Sequence, residues 1–276
     1  MAAEHQISLP DLSAWIDSRQ SQGLYFFTRE EALRGLQRSE AAFKQAAARL
    51  AKKKRIARMH GGFFIIIPLE YAATGILPAE WFIADLMGYV KQPYYVGLLS
   101  AAALYGAAHQ QPQQFHVVTT GPLREMRSNG LAISFFSKTK FADVPLTQVK
   151  VQTGHIPAST PEATALDLIR YMRRIGGLDR VLTVLQELGE VMKPEKLAEA
   201  AKTDGKIAYA QRLGFLLEKA GFSDLTHKLF QWVYKKNPLP ARLEPSMPIR
   251  GCEKNERFSS PEGEDTIGHG KEKGQG

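Results

Sequence analysis

The 276-residue chain contains a single cysteine, Cys252, and lacks an apolar run long enough to span a membrane. One cysteine excludes an internal disulfide and a multi-cysteine zinc site, and it agrees with a reducing compartment. The longest continuously apolar stretch, residues 94–108, spans about 15 residues, whereas a membrane helix needs about 20. The first residues show no basic segment followed by an apolar block. We therefore expect a globular protein of the cytoplasm with no membrane partner.

Acidic residues are almost missing from one segment of the chain. Between Arg34 and Arg58, nine Lys or Arg residues accompany a single acid, Glu40, and this local excess equals the net charge of +8 of the whole protein. A concentrated basic segment attracts a polyanion, and duplex DNA carries one phosphate charge about every 1.7 Å of its axis. The charge pattern therefore predicts DNA binding by this segment.

The same segment has the periodicity of two helices. Thr28 and Glu31 have the spacing of a capping box, which predicts a short support helix from this point. Ser39 then caps a second helix that we expect to reach about Lys53. The apolar side of this second helix recurs at steps of three and four residues, and it consists of Phe43, Ala46, Ala47 and Leu50. Its opposite side has the small and polar residues that a DNA-reading helix needs.

A short hairpin is predicted directly after the second helix. Residues 55–58 and 63–67 favour strands, and Gly61 and Gly62 between them suit a tight turn. An amphipathic helix ahead of the pair, with Leu9, Leu12, Trp15, Ile16 and Arg19, would complete a three-helix core. Three helices followed by a hairpin describe a winged helix-turn-helix domain.

We predict a set of DNA-binding residues on the turn, the second helix and the hairpin. They are Gln37, Arg38, Ser39, Ala41, Lys44, Gln45, Arg49, Lys52, Lys53, Arg55, Arg58 and His60. The run from Lys52 to Lys54, taken alone, also fits a solvated helix end that suits the helix dipole. The basic hairpin that follows favours DNA over this alternative.

The remainder of the chain predicts an α+β fold. We divide the chain into a winged helix domain at 1–68, a linker at 69–78, a second α+β domain at 79–236 and a disordered tail at 237–276. The second domain should begin with helices at 79–90 and 94–108. Strands are expected at 115–120, 131–138 and 146–152, and a helical bundle follows from Thr160, which can cap a helix that starts at Pro161.

No catalytic constellation, metal site or cofactor site emerges from the second domain. Asp143, Gln148 and Lys150 resemble the metal-binding pattern of some nucleases, but glutamine replaces the needed acid. His109 and His116 are interpreted as surface or strand-end residues. Asp167 is interpreted as a solvated helix residue or as a partner of Arg170. We therefore predict that the protein is not an enzyme.

A second basic area surrounds the turn at Gly130. It contains Arg124, Arg127, Lys138 and Lys140. These residues could extend a DNA track or face a partner related to nucleic acids, and scattered surface charge is an equal alternative.

Four segments behind the winged helix resemble a known family. They are YYVGLLSAAALYGA at 94–107, FHVVT at 115–119, TPEATALDL at 160–168 and RLGFLLE at 212–218. In this order, over residues 10–236, the chain resembles the AbiEi-type antitoxins of abortive-infection toxin–antitoxin systems. The first and third segments are the most specific part of the resemblance.

The resemblance implies two roles. The first is a transcriptional autorepressor that binds double-stranded DNA at repeats in its own promoter. The second is an antitoxin that counters an AbiEii-type nucleotidyltransferase toxin in the type IV manner, without a stable complex. The residues alone also allow a winged helix transcription factor whose C-terminal domain senses a ligand or mediates assembly.

Overall fold

A computed structural model describes residues 11–107 and 114–243. The first part of the chain, residues 11–67, contains three helices and three strands. In chain order they are α1 (Leu12–Ser21), β1 (Phe26–Thr28), α2 (Arg29–Leu36), α3 (Glu40–Lys52), β2 (Ile56–His60) and β3 (Phe63–Ile66). The antiparallel strands form one sheet in the order β1-β3-β2. This order of elements is that of a winged helix.

Side-chain caps define where these helices begin. The Thr28 hydroxyl accepts a hydrogen bond from the Glu31 amide, and the Glu31 carboxylate accepts one from the Thr28 amide, so the capping box is complete. The Ser39 hydroxyl accepts from the amide of Ala42 at the start of α3. The inner sides of the three helices and the sheet then bury one cluster that includes Ile16, Phe43 and their neighbours.

The second part, residues 68–107 and 114–243, contains the strands of a sheet and the helices around it. They are α4 (Ile83–Val90), β4 (Tyr94–Val96), α5 (Leu98–Leu104), β5 (Gln114–Thr119), β6 (Met126–Ser128), β7 (Leu131–Ser137), β8 (Leu146–Val151), β9 (Gly154–Ser159), α6 (Pro161–Tyr171), α7 (Gly177–Leu188), α8 (Pro194–Asp204), α9 (Ile207–Lys219) and α10 (Ser223–Tyr234). The six strands form a mixed sheet in the order β6-β7-β5-β4-β9-β8. The predicted α+β class is confirmed.

The helix predicted at 94–108 is wrong in its first part. Tyr95 and Val96 belong to β4, which lies in the middle of the sheet between β5 and β9. Gly97 is extended and close to the neighbouring strand, where a Cβ would lie 2.8 Å from Cγ2 of Val118. The alanine-rich run forms a helix only from Leu98 onward, because the backbone of residues 94–96 pairs with the neighbouring strands of the sheet. Ala108 lies outside the described residues.

The sequence also failed to predict β6 and β9. β6 is one edge strand of the sheet and pairs with β7, and β9 joins the other edge strand, β8, to β4. The helical bundle predicted from Thr160 is present as α6 to α10. Gly205, with φ of +71°, follows the last residue of α8, and the left-handed region favours glycine at such a position.

The hairpin and the second part share one hydrophobic cluster. Phe63 and Ile65 of β3 are buried in the same cluster as Phe82 and Leu86 of the following region. The predicted linker 69–78 contributes to it as well, because Leu77 is fully buried. The separate folding of residues 1–68 and 79–236 stays a prediction.

Some features predicted from the sequence cannot be placed. Leu9, His109, Cys252 and residues 244–276 of the predicted tail lie outside the described residues. Within the described residues, no helix has the length and apolar character needed to cross a membrane.

Candidate nucleic-acid interface

One side of α3 presents the predicted DNA-reading residues to solvent. Ala41, Gln45, Arg49 and Lys52 are all exposed, together with Ala48. At about 100° per residue these positions share one face, opposite the buried Phe43, Ala47 and Leu50. Two alanines in this face leave room for the backbone of α3 to approach a groove, and the long polar side chains can reach bases or phosphates. The exposed face of α3 therefore has the residue types predicted for a DNA-reading helix, and its contact with DNA stays a prediction.

The turn between α2 and α3 presents three further predicted residues. Gln37 adopts the left-handed conformation, with φ of 49°, and ends α2. Arg38 is exposed next to it. Ser39 is exposed as well, but its hydroxyl already accepts from the Ala42 amide at 3.2 Å. A phosphate at this turn would therefore meet the Arg38 guanidinium and the first amides of α3.

The tip of the hairpin is fixed from both sides. The Nε of Arg58 donates to the Gly61 carbonyl at 2.7 Å, and His60 is exposed beside it. The Gly62 amide donates to the Tyr89 hydroxyl of α4 at 3.1 Å, and the Gly62 carbonyl accepts from the Arg29 amide at 2.7 Å. The hairpin tip is thus held between α2 and α4 in a defined position next to α3.

Arg55 differs from the other predicted contacts. Its guanidinium donates to Oδ1 of Asp17 in α1 at 2.6 Å, and its side chain is only 19% exposed. Lys53 at the end of α3 is exposed, whereas the Nζ of Lys54 donates to the carbonyl of Ala73. Arg55 therefore fastens the hairpin to α1, and its contact with DNA stays a prediction.

A groove of about 270 Å³ runs between α3 and the hairpin. Its floor is apolar and consists mainly of Phe43, Phe64 and the alanines of α3. Three basic residues surround it, namely Arg29, Lys44 and Arg58. Arg29 is not among the residues predicted to bind DNA, and its place in the groove follows from the close approach of α2 to the hairpin.

The second basic area is smaller than the sequence suggests. Arg124, Arg127 and Lys140 are exposed, and Arg127 is paired with Glu125. Lys138 is buried, with 5% of its surface exposed, and cannot face a nucleic acid. The prediction that Lys138 lies at the surface is wrong, because its Nζ pairs with carboxylates inside the protein.

Lys138 belongs to a buried cluster of charges. Its Nζ lies 2.7 Å from Oδ1 of Asp167 and 3.3 Å from Oδ1 of Asp204. The Tyr95 hydroxyl donates to Oδ2 of Asp167 at 2.7 Å, and Arg170 pairs with Asp204 at 2.5 Å. Burial, together with the adjacent Asp167, raises the pKa of Tyr95 well above its usual range. The cluster joins β4, the end of β7, α6 and α8.

Two predictions from the sequence are corrected here. Asp167 is fully buried and not solvated, and its nearest cationic partner is Lys138, whereas the Nε of Arg170 lies 4.0 Å away. His116 is buried against Phe136 and not at the surface, and burial lowers its pKa to about 4. Asp167 lies in the part of α6 where residues 162–169 are all buried. The burial of this helix on every side is visible only in the structure.

The nuclease-like residues do not form a metal site. Asp143 is exposed in a loop, and Gln148 and Lys150 are exposed on the outer strand β8. Across residues 11–107 and 114–243, no group of three or more His, Cys, Asp or Glu residues could hold a metal ion.

Comparisons with known proteins add two findings. A family model described as the AbiEi antitoxin C-terminal domain matches residues 95–219, which confirms the predicted resemblance for these residues and supports an antitoxin role. The crystal structure of the RV2827C protein from Mycobacterium tuberculosis has a TM-score of 0.56 at 15% identity, covering 79% of this chain and 80% of that chain. At this identity the likeness shows the fold alone. No curated protein matches the sequence.

Proposed function

We propose that this chain, whose residues 95–219 match the AbiEi antitoxin C-terminal domain, is both the antitoxin and the autorepressor of a toxin–antitoxin operon. The family match is the observation that carries the antitoxin role. The partner would be an AbiEii-type nucleotidyltransferase toxin, countered in the type IV manner without a stable complex. A protein that acts on its own promoter works in the cytoplasm.

The exposed face of α3 and the adjoining hairpin support the repressor role. Arg49, Lys52 and Lys53 are exposed along the end of α3, and Arg58 and His60 are exposed on the hairpin. A helix in the major groove with a hairpin against the backbone is the usual docking of a winged helix. The lysines and arginines would supply the affinity for phosphates, and Gln45 would read a base edge. The site proposed for binding is repeated DNA in the protein's own promoter.

The cavity beside Lys138 and Asp204 in the second part does not suit the ligand of a sensor. The cavity beside Lys138 and Asp204 has a volume of about 10 Å³, enough for one water and far too little for a metabolite. A neighbouring gene for a nucleotidyltransferase would favour the antitoxin, and a metabolic or transport operon would favour a sensor.

Two readouts on one set of variants test the proposal. The chain is co-expressed with the neighbouring gene and scored for growth rescue, while a reporter measures repression of its own promoter. The double substitution of Arg49 and Lys52 by Ala should release repression and keep rescue under an independent promoter. Failure of the wild-type chain to rescue growth from a toxic neighbour would overturn the antitoxin role. Absence of repression by the wild-type chain would overturn the repressor role.

A further inference from the structure

The groove between α3 and the hairpin carries a pair of cations that share one carboxylate. Glu40, in the first turn of α3, lies 3.3 Å from Nη1 of Arg29 and 3.1 Å from Nζ of Lys44. Its hydrogen bond with Lys44, and then the charges of Lys44 and Arg29, lower the pKa of the Glu40 carboxyl. All three side chains are 45% or more exposed. A singly charged anion, the Glu40 carboxylate, therefore already lies between two of the three cations that border the groove.

The groove matches the chemistry of a DNA backbone. Arg29, Lys44 and Arg58 surround an apolar floor that contains Phe64. A phosphodiester carries one negative charge, like a carboxylate, and the deoxyribose next to it presents an apolar face. Ala48 and Ala51 line the side of the groove formed by α3, and their small side chains leave room for a strand. The charge and the shape of the groove thus fit a sugar–phosphate chain better than a base.

We propose that this groove receives the backbone of one DNA strand, and that Glu40 occupies the place of a phosphate when DNA is absent. The inference rests on the proposed DNA binding and assigns a role to Arg29 and Glu40. On binding, a phosphate replaces the Glu40 carboxylate at Arg29 and Lys44. Glu40 therefore lowers the affinity for duplex DNA and keeps both cations oriented toward the groove.

This exchange has a characteristic dependence on DNA sequence and on salt. Phosphate contacts carry no direct sequence information, so removal of the Glu40 charge should tighten binding to operator and to random duplex by similar factors. Exposed ion pairs are screened by salt, so the difference from the wild type should shrink as the salt concentration rises.

The experiment compares Glu40→Gln with Glu30→Gln in the full-length chain. Glu30 is an exposed acid next to Arg29, and within the described part of the chain it forms no ion pair with Arg29 or Lys44. Both variants change the net charge equally, so Glu30→Gln measures the effect of charge alone. Fluorescence anisotropy with operator and random duplexes should show a three- to tenfold gain in affinity for Glu40→Gln, roughly what two exposed ion pairs supply. Glu30→Gln should change affinity by less than about twofold.

A double-mutant comparison completes the test. In a background with Arg29 and Lys44 replaced by Ala, Glu40→Gln should no longer tighten binding, because its partners are absent. A gain that persists there, or an equal gain in Glu30→Gln, would overturn the proposal in favour of general repulsion. A loss of operator binding alone would overturn it too, because it would make Glu40 a base-reading residue. If the wild-type chain binds no duplex at low salt, the proposed DNA binding itself fails. Thermal melts of all variants verify that α3 remains folded.

Discussion

The ammonium group of Lys138 lies 2.7 Å from the carboxylate of Asp167, and both side chains are buried. Lys138 directly follows β7 and Asp167 lies in the middle of α6, so the pair ties the helix to the sheet of the second part. Asp204 of α8 also approaches Lys138, at 3.3 Å. This arrangement has a measurable consequence for stability.

Lys138→Met should destabilise the protein strongly. The change leaves Asp167 buried without its main cationic partner, which typically costs about 3 to 5 kcal/mol. Chemical denaturation should show this loss. Lys140→Met, a matched change at an exposed lysine two residues away, should have little effect. The double variant Lys138→Met, Asp167→Asn should recover part of the loss, and a double variant no more stable than Lys138→Met would contradict the assignment of the pair.

The stability of the protein should depend on His116 in mild acid. Burial, with a contribution from Arg180 and Arg174, lowers the pKa of His116 to about 4 from its ordinary 6.5. The unfolded chain therefore takes up a proton below pH 6.5, while the folded chain stays neutral down to about pH 4. Stability from this residue is present above pH 6.5 and falls by up to about 3 kcal/mol as the pH decreases to 4. His116→Leu should remove this decrease.

The measurement needs a background without Asp85, because Asp85 acts with the opposite sign. Burial raises the pKa of Asp85 to about 6, so its contribution to stability increases as the pH falls through 6 toward 4. Urea denaturation at a series of pH values should therefore compare Asp85→Asn with Asp85→Asn, His116→Leu. Parallel stability curves for the two chains would show that His116 does not titrate as described.

Local and distant interactions were predictable to different degrees. The caps at Thr28 and Ser39 depend on residues three positions away, and the predicted starts of α2 and α3 agree with the structure. The strand β4 depends instead on pairing with β5 and β9, so its three residues looked like the start of a helix. Glu40 and Arg29 are eleven positions apart, and only the packing of α2 against α3 brings them together.

Gly214 of α9 faces the aromatic ring of Phe230 in α10 at close range. A Cβ at Gly214 would clash with the outer edge of that half-buried ring, so Gly214→Ala should displace the Phe230 side chain and lower stability by about 1 to 3 kcal/mol. Gly88 in α4 provides the control, because a Cβ there meets no atom within 4 Å. Gly88→Ala should be neutral or stabilising by about 0.5 to 1 kcal/mol. Equal thermal shifts for the two variants would contradict the close packing of α9 and α10.

The basic residues of the interface should separate into two groups. Arg49→Ala and Lys52→Ala should each weaken DNA binding and reduce the magnitude of the salt slope by about 0.9 for each phosphate that the variant no longer binds. Arg55→Ala should mainly lower stability, because Arg55 pairs with Asp17 and is mostly buried. Binding isotherms at several salt concentrations, with melting curves, distinguish the groups. A large change in salt slope for Arg55→Ala with unchanged stability would instead show that Arg55 binds a phosphate directly.

Truncation should reveal how far the two parts depend on each other. Phe82 and Leu86 lie in one cluster with Phe63 and Ile65 of the hairpin, so a chain that begins at Ala79 exposes apolar surface that the hairpin normally covers. We expect residues 79–236 to lose operator binding and to keep the fold of the matched region at reduced stability, which circular dichroism and denaturation can measure.

A second fragment, 54–243, retains the hairpin and should recover much of that stability without α3. Equal stability of the two fragments would show that the hairpin contributes nothing to the second part. If the antitoxin role belongs to the matched region, the fragment from residue 54 should still protect cells from the neighbouring toxin. Protection confined to residues 1–78 would transfer that role to the winged helix.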